Sequence, residues 1–150
     1  PVSPFYFDDK KKSICILSAA SILKILLPDN QNNKKIYNSF ENLLIILNQK
    51  DWIKLYIFWE IFLVKELGFE INKTSKEGFS EAEKSYVEIN EKFFKIPNMI
   101  INKDNFSFTN ADISSALSFN KNILFEHFII PNKLRFPLSR NILQKYYFEG

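Results

Sequence analysis

The stretch Asp51 to Phe69, DWIKLYIFWEIFLVKELGF, constrains the fold more than any other part of the chain. Trp52, Tyr56, Trp59, Leu63 and Leu67 recur at spacings of four, three, four and four, which places them on one helical stripe. Ile53, Ile57, Ile61 and Val64 form a second stripe beside it, so most of the circumference is apolar. A helix of that kind is buried by its neighbours. It is not a membrane span, because Lys54, Glu60 and Lys65 interrupt it, and its longest apolar run, Leu55 to Trp59, is far short of the roughly 20 residues a bilayer needs. Asp51 is a plausible N-cap, and Gly68 stands where a left-handed residue closes a helix.

The other elements are read as packing around that helix. Pro1 to Asp9 is an irregular lead-in, after which Asp8 or Asp9 caps a helix running to about Leu27. Its apolar face is read as Ile14, Leu17, Ala20 or Ser21, Ile25 and Leu26, and Pro28 helps to end it. A turn over Asp29–Asn33 leads to a second helix, roughly Lys34 to Asn48, with Ile36, Phe40, Leu43, Leu44 and Leu47 facing inward. Glu70 to Ser85 is polar and acidic, with a turn at Gly78. Ser85–Ile89 and Lys92–Ile96 are short enough for two strands of a hairpin. Pro97 to Phe108 reads as a linker anchored by Met99, Ile100 and Ile101. Asn110 is expected to cap a helix to about Phe119, Asn120 another ending before Pro131, and Pro137 suits the first turn of a last one. The fold class is therefore mainly α, a helical bundle with a small β-hairpin insertion at about 70–97. It forms one domain: lead-in 1–9, three-helix core 10–68, irregular and β insertion 69–109, and C-terminal helices 110–150.

Several chemistries are excluded or disfavoured by residue types. A single cysteine, Cys15, rules out an internal disulfide and a cysteine-rich zinc site. Glycine occurs only at 68, 78 and 150, so there is no glycine-rich phosphate loop. Cys15 and His127 can be written as a nucleophilic pair, but Cys15 sits in ICIL on a face expected to be core, where a thiol is inert. Glu81 and Glu83 lie in the acidic stretch, where solvation is the better reading than an acid–base pair. Catalytic residues, cofactor and metal are therefore all expected to be absent. No signal segment opens the chain, so a cytoplasmic place is expected. The start at Pro1 rather than Met is what a fragment with residues upstream would show.

Glu60 is a carboxylate within the most apolar helix, so it needs a partner, and Arg140 is the candidate; Trp59, Glu60 and Gly68 are read as structural. The net charge of +3 says less than its distribution. Glu66 to Glu91 has a balance of −4, whereas Leu117 to Phe148 has a balance of +4 and holds both arginines. Lys133, Arg135, Arg140 and Lys145 surround Pro131 and Pro137, with Leu134, Phe136 and Leu138 interleaved. Such a patch suits a phosphate backbone, or a peptide ending in an aromatic residue and a carboxylate, or is simply a solvated basic face. The other aromatics, Phe93, Phe94, Phe106, Phe108, Phe119, Phe125 and Phe128, suit core packing better than base stacking.

Taken together, these landmarks resemble the C-terminal helical part of the RecO family of recombination mediators, in an alphaproteobacterial-like form. SAASILKILLPDN is similar to the family's first helix after its N-terminal domain, and DWIKLYIFWEIFLVKELGFEIN to its aromatic-Glu helix ending in Leu-Gly-Phe. KSYVEINEKFFKIPNMI and FNKNILFEHFIIPNKLRFPLSRNIL resemble its Tyr-Val strand with a following anchor and its last two helices. The likeness runs roughly from Ser13 to Tyr147. It implies a non-enzymatic DNA-repair protein of the RecF pathway, at the nucleoid. Implied partners are single- and double-stranded DNA, RecR, and the acidic C-terminal tail of single-stranded-DNA-binding protein, with RecA loading as the outcome. The family's N-terminal OB-fold is absent from this chain. The segment in which many relatives carry zinc-binding cysteines, here about 72–92, has none. On this resemblance Lys133, Arg135, Phe136, Leu138, Arg140 and Lys145 are the expected DNA- or tail-binding residues. A helical protein-interaction module with no nucleic-acid role is the alternative.

Overall fold

A computed structural model describes residues 6–27, 33–71, 85–102, 104 and 107–148. In chain order these form α1 (Tyr6–Leu26), α2 (Lys34–Ile46), α3 (Trp52–Glu66), β1 (Tyr86–Ile89), β2 (Lys92–Lys95), α4 (Asn98–Ile101), α5 (Asn110–Ile123), a π-helical segment (Leu124–Ile129) and α6 (Leu138–Lys145). The mainly α class with a small hairpin is as the sequence implied. Most of the acidic stretch, with Gly78, Glu81 and Glu83, lies outside the described residues, as do Pro28, most of the turn after it, and Phe106.

α3 is the hub. Trp52, Ile53, Tyr56, Ile57, Trp59, Ile61, Leu63 and Val64 are all buried on it, and so is Glu60. α2 packs on one side of it and α5 on another, while α6 lies along α1. Asp51 holds the N-cap position, but its side chain makes no capping bond. The other end closes as the sequence implied. Gly68 has φ +102, Phe69 N–H donates to the Val64 carbonyl at 2.9 Å, and Gly68 N–H donates to that of Lys65 at 3.0 Å. This is a Schellman closure, with Phe69 buried beneath it.

Four expectations are corrected. α1 begins at Tyr6, so Asp8 and Asp9 lie within its first turns rather than capping it; carboxylates there still favour the positive end of the helix. Its buried stripe is Cys15, Ser18, Ala19, Ile22 and Leu23, which leaves Leu17 53% exposed. α2 buries Ile36, Leu43 and Leu47 and half-buries Phe40, but Leu44 is exposed. The expected linker contains α4, whose Met99 and Ile100 are buried. Finally, α5 is capped by Thr109, which exchanges bonds with Asp112 in a capping box, and the helix runs straight through Asn120. Asn120 is buried, and its amide is held by another helix, so it does not compete for its own backbone.

The hairpin pairs Tyr86 with Lys95 and Ile89 with Lys92 across a two-residue turn. Asn90 and Glu91 both have positive φ, 53° and 67°, as a primed turn requires. Asn90 Nδ2 donates to the Glu126 carbonyl at 2.8 Å, and Lys92 Nζ reaches Glu126 Oε1 at 2.8 Å, so the hairpin tip is fastened to the π-helical segment.

Candidate functional site

The centre of the bundle holds a polar network. Glu60 Oε2 accepts from Arg140 Nε at 2.6 Å and from the Tyr56 hydroxyl at 2.8 Å. Glu60 Oε1 accepts from Arg140 Nη2 and from Asn120 Nδ2, both at 3.0 Å. Tyr56 has one hydroxyl proton and gives it to Glu60, so Ser18 Oγ, 2.9 Å from Tyr56 Oη, is the donor in that pair. Arg140 also donates to the Leu117 carbonyl at 2.9 Å and to Gln144 Oε1 at 3.0 Å. The network ties α1, α3, α5 and α6 together. Burial, opposed and outweighed by the Glu60 charge, leaves the Arg140 guanidinium held above its ordinary pKa. Burial, followed by the Glu60 charge, pushes up both the Tyr56 hydroxyl and the Cys15 thiol.

This corrects the expected role of Arg140. It is the largest fully buried side chain among the described residues, and four of its donor bonds are spent internally. It meets no ligand. The partnership with Glu60 is the one the sequence suggested. The Cys15–His127 idea fares no better. Cys15 is fully buried with its thiol pushed up, the opposite of what a nucleophile needs, and the His127 ring packs against Phe69 at 4.9 Å and Phe128 at 4.7 Å.

Three of the remaining residues meet at one place. Arg135, Phe136 and Leu138 line a notch of about 520 Å³ between α1 and the start of α6. From α1 the opposite wall has Leu17, Ser21, Lys24 and Ile25, and Ile142 and Ser139 complete it on the α6 side. Leu17 and Leu138 are exposed at 53% and 72%, so the notch offers apolar surface to a partner. Phe136 is fixed from behind. Its ring stacks on Phe125 with centroids 4.8 Å apart, and Lys121 Nζ lies 5.5 and 5.3 Å from the two rings while donating to Asn141 Oδ1 at 2.9 Å. Burial, then the nearby Arg140 charge, holds the Lys121 amine below its ordinary pKa. Lys133 is exposed on the turn before the notch with φ 53°, and Lys145 is exposed in the last turn of α6; neither lines the notch.

Lys24, Leu17 and Ile25 are site residues that sequence reasoning missed. Leu17 and Ile25 had been read as core, and the exposure of Leu17 follows only from the true angular position of the buried stripe. Lys24, an exposed cation beside them on the last turn of α1, was the available signal.

A family model described as "Recombination protein O C terminal" matches residues 8–88, more than half of the chain. The chain belongs to the RecO C-terminal family. A DNA repair protein RecO of Wolbachia pipientis subsp. Culex pipiens (strain wPip) is 35% identical to it over 74 residues, 47% of this chain and 31% of that protein. Those of Ehrlichia chaffeensis (strain ATCC CRL-10679 / Arkansas) and Anaplasma marginale (strain Florida) are 33% and 28% identical over 69 and 68 residues. In each case the match covers 45% of this chain, and 28% and 29% of those relatives. The matched stretch is thus less than a third of each RecO relative. No solved structure gives a significant match. The RecO family match takes in α1, α2, α3 and most of β1, so the notch combines a wall inside the matched region, on α1, with a wall beyond it. The stretch 72–92, in which many RecO proteins carry zinc-binding cysteines, holds no cysteine, and Cys15 on α1 is buried. The residues present therefore do not fit a zinc site of that kind.

Proposed function

We propose that this chain is the helical part of a non-enzymatic RecO-type mediator of DNA repair and recombination. In this reading it acts in the cytoplasm at the nucleoid and works with single- and double-stranded DNA and with RecR. It also holds the acidic C-terminal tail of single-stranded-DNA-binding protein, so that RecA can load. One observation carries the reading: Arg135, Phe136 and Leu138 line a single notch opposite Lys24, which joins an apolar floor to two cations. The floor takes the tail's terminal phenylalanine, and Arg135 and Lys24 attract its carboxylates. Lys133, beside the notch, extends the basic rim, and Lys133 and Lys145 are left for nucleic-acid phosphates. No helix among the described residues is long and apolar enough to cross a membrane, in keeping with partners that are met in solution.

The test is capture of single-stranded-DNA-binding protein with and without its last residues. Tail-dependent capture is expected, and Leu138→Asp should abolish it. Equal capture of intact and truncated protein would overturn the reading. That second outcome would favour the alternative, a helical interaction module without nucleic acid, for which α2 offers a surface: Tyr37, Leu44 and Ile45 are exposed there at 47%, 42% and 64%.

A further inference from the structure

Ser139 is the anomaly of the notch. It lines the cavity, is only 7% exposed, and its Oγ has no hydrogen-bond partner. A buried hydroxyl left without a partner is destabilising, so its retention needs a reason. Ser139 is the second residue of α6, whose N-cap Pro137 supplies no side-chain bond. The first amides of a helix have no intrahelical acceptor, and together they carry the positive end of the helix dipole. The closing bond of this first turn, Asn141 N–H to the Pro137 carbonyl, is a long 3.5 Å. Arg135 and Lys24 lie on the same notch, and no carboxylate is among the residues that line it. An uncapped helix start, an unused hydroxyl and two cations thus adjoin an apolar floor.

We infer that the α6 end of the notch is a carboxylate subsite. The Ser139 hydroxyl, turned about χ1, and the leading amides of α6 hold a free carboxylate, and the floor of Leu17, Ile25 and Phe136 takes the side chain of the residue that bears it. The ligand is a peptide whose last residue is large and apolar, recognised by its chain end. A phosphodiester is a poorer occupant, because it has no apolar limb to cover that floor. The inference rests on the tail-docking reading above and adds to it the atoms that read the terminus. It also separates two roles: Arg135 and Lys24 supply general attraction, whereas Ser139 and the helix start discriminate a terminal carboxylate from any other acidic group.

The experiment is fluorescence anisotropy on the full 150-residue chain. The probes are two labelled acidic peptides ending in phenylalanine, one with a free C-terminal carboxylate and one with a carboxamide. The wild-type chain is expected to bind the free acid about tenfold more tightly. Ser139→Ala should bring the acid close to the amide while leaving amide affinity unchanged. That variant removes an unpartnered hydroxyl, so it should melt no lower than wild type, which a thermal scan checks. Equal wild-type affinities for acid and amide would overturn the subsite while leaving tail docking intact. A full preference surviving in Ser139→Ala would overturn it as well, by placing carboxylate recognition elsewhere. Failure of both peptides to bind the wild-type chain would overturn subsite and docking together.

Discussion

At Glu60 four donors converge on one carboxylate, and the pair it makes with Arg140 is sealed from water at 1% and 0% exposure. Such a pair contributes little net stability compared with apolar residues of the same volume, but breaking it from one side is costly. Glu60→Gln keeps the shape and leaves the guanidinium charge buried, so a loss of about 3–5 kcal/mol is expected. For a chain of this size that is a fall of roughly 6–20 °C in melting temperature, measurable by calorimetry. Replacing Glu60 and Arg140 together by methionine should recover only part of the loss, because Tyr56, Asn120 and Gln144 would each lose a partner. Full additivity of the two single changes would show that the two side chains are not coupled. Gly68 is a smaller case of a different kind. A Cβ there would meet nothing within 4 Å, yet φ is +102°, so Gly68→Ala should cost about 1 kcal/mol through backbone strain alone. The Glu60–Arg140 pair and Gly68 were legible in the sequence, the first because a charge in an apolar helix demands a partner, the second because glycine after a helical run marks its end. Ser18, Tyr56 and Asn120 were not, because a small polar residue reads the same whether it faces water or a buried carboxylate.

Among the elements, the helices that pack on one side only were the hardest to orient. α3 is apolar nearly all round, so any rotation of it buries a similar surface, and its pattern identified it without fixing its neighbours. α1 is different: its buried stripe includes Ser18, and counting only apolar residues rotates the expected face toward Leu17. Asn120 misled in the same way, resembling a cap while its amide donates to the Ile57 carbonyl at 3.1 Å and to Glu60. The hairpin was legible from its two short runs, but the fastening of its tip to Glu126 was not, since the two lie 36 residues apart. Its turn supports a prediction. Glu91 has φ 67°, which glycine adopts without strain, so Glu91→Gly should raise stability by up to about 1 kcal/mol. Glu126 supports a second. Hydrogen bonds from Lys92 and then Asn90 hold its carboxyl below the usual glutamate range. A carboxylate whose pKa is lower in the folded state contributes stability that is complete above the unfolded pKa and is lost as pH falls through the folded one. Amide exchange in β1 and β2 should therefore speed up on acidification below the ordinary glutamate range, and Glu126→Gln should remove that step.

For the molecule as a whole, the two arginines of one basic segment do opposite jobs. Arg140 faces inward and fixes α6 against α3 and α5, while Arg135, five residues earlier, is exposed on the notch. Charge and spacing in the sequence placed both on one binding face, because nothing local to α6 reveals that its third residue points at the core. Measuring stability and binding together tests the division. Arg135→Glu should leave the melting temperature within about 1 °C, as surface changes do, yet weaken binding of an acidic peptide ending in phenylalanine by about tenfold or more. Arg140→Glu should place two carboxylates face to face in the core and lose the folded state before binding can be measured. Lys145→Glu is the control. It lies at the far end of α6, about 10 Å along the axis from Leu138, so peptide affinity should change less than about threefold while DNA affinity falls and its salt dependence flattens. Equal loss of peptide binding in Arg135→Glu and Lys145→Glu would mean that diffuse charge, rather than the notch, holds the peptide.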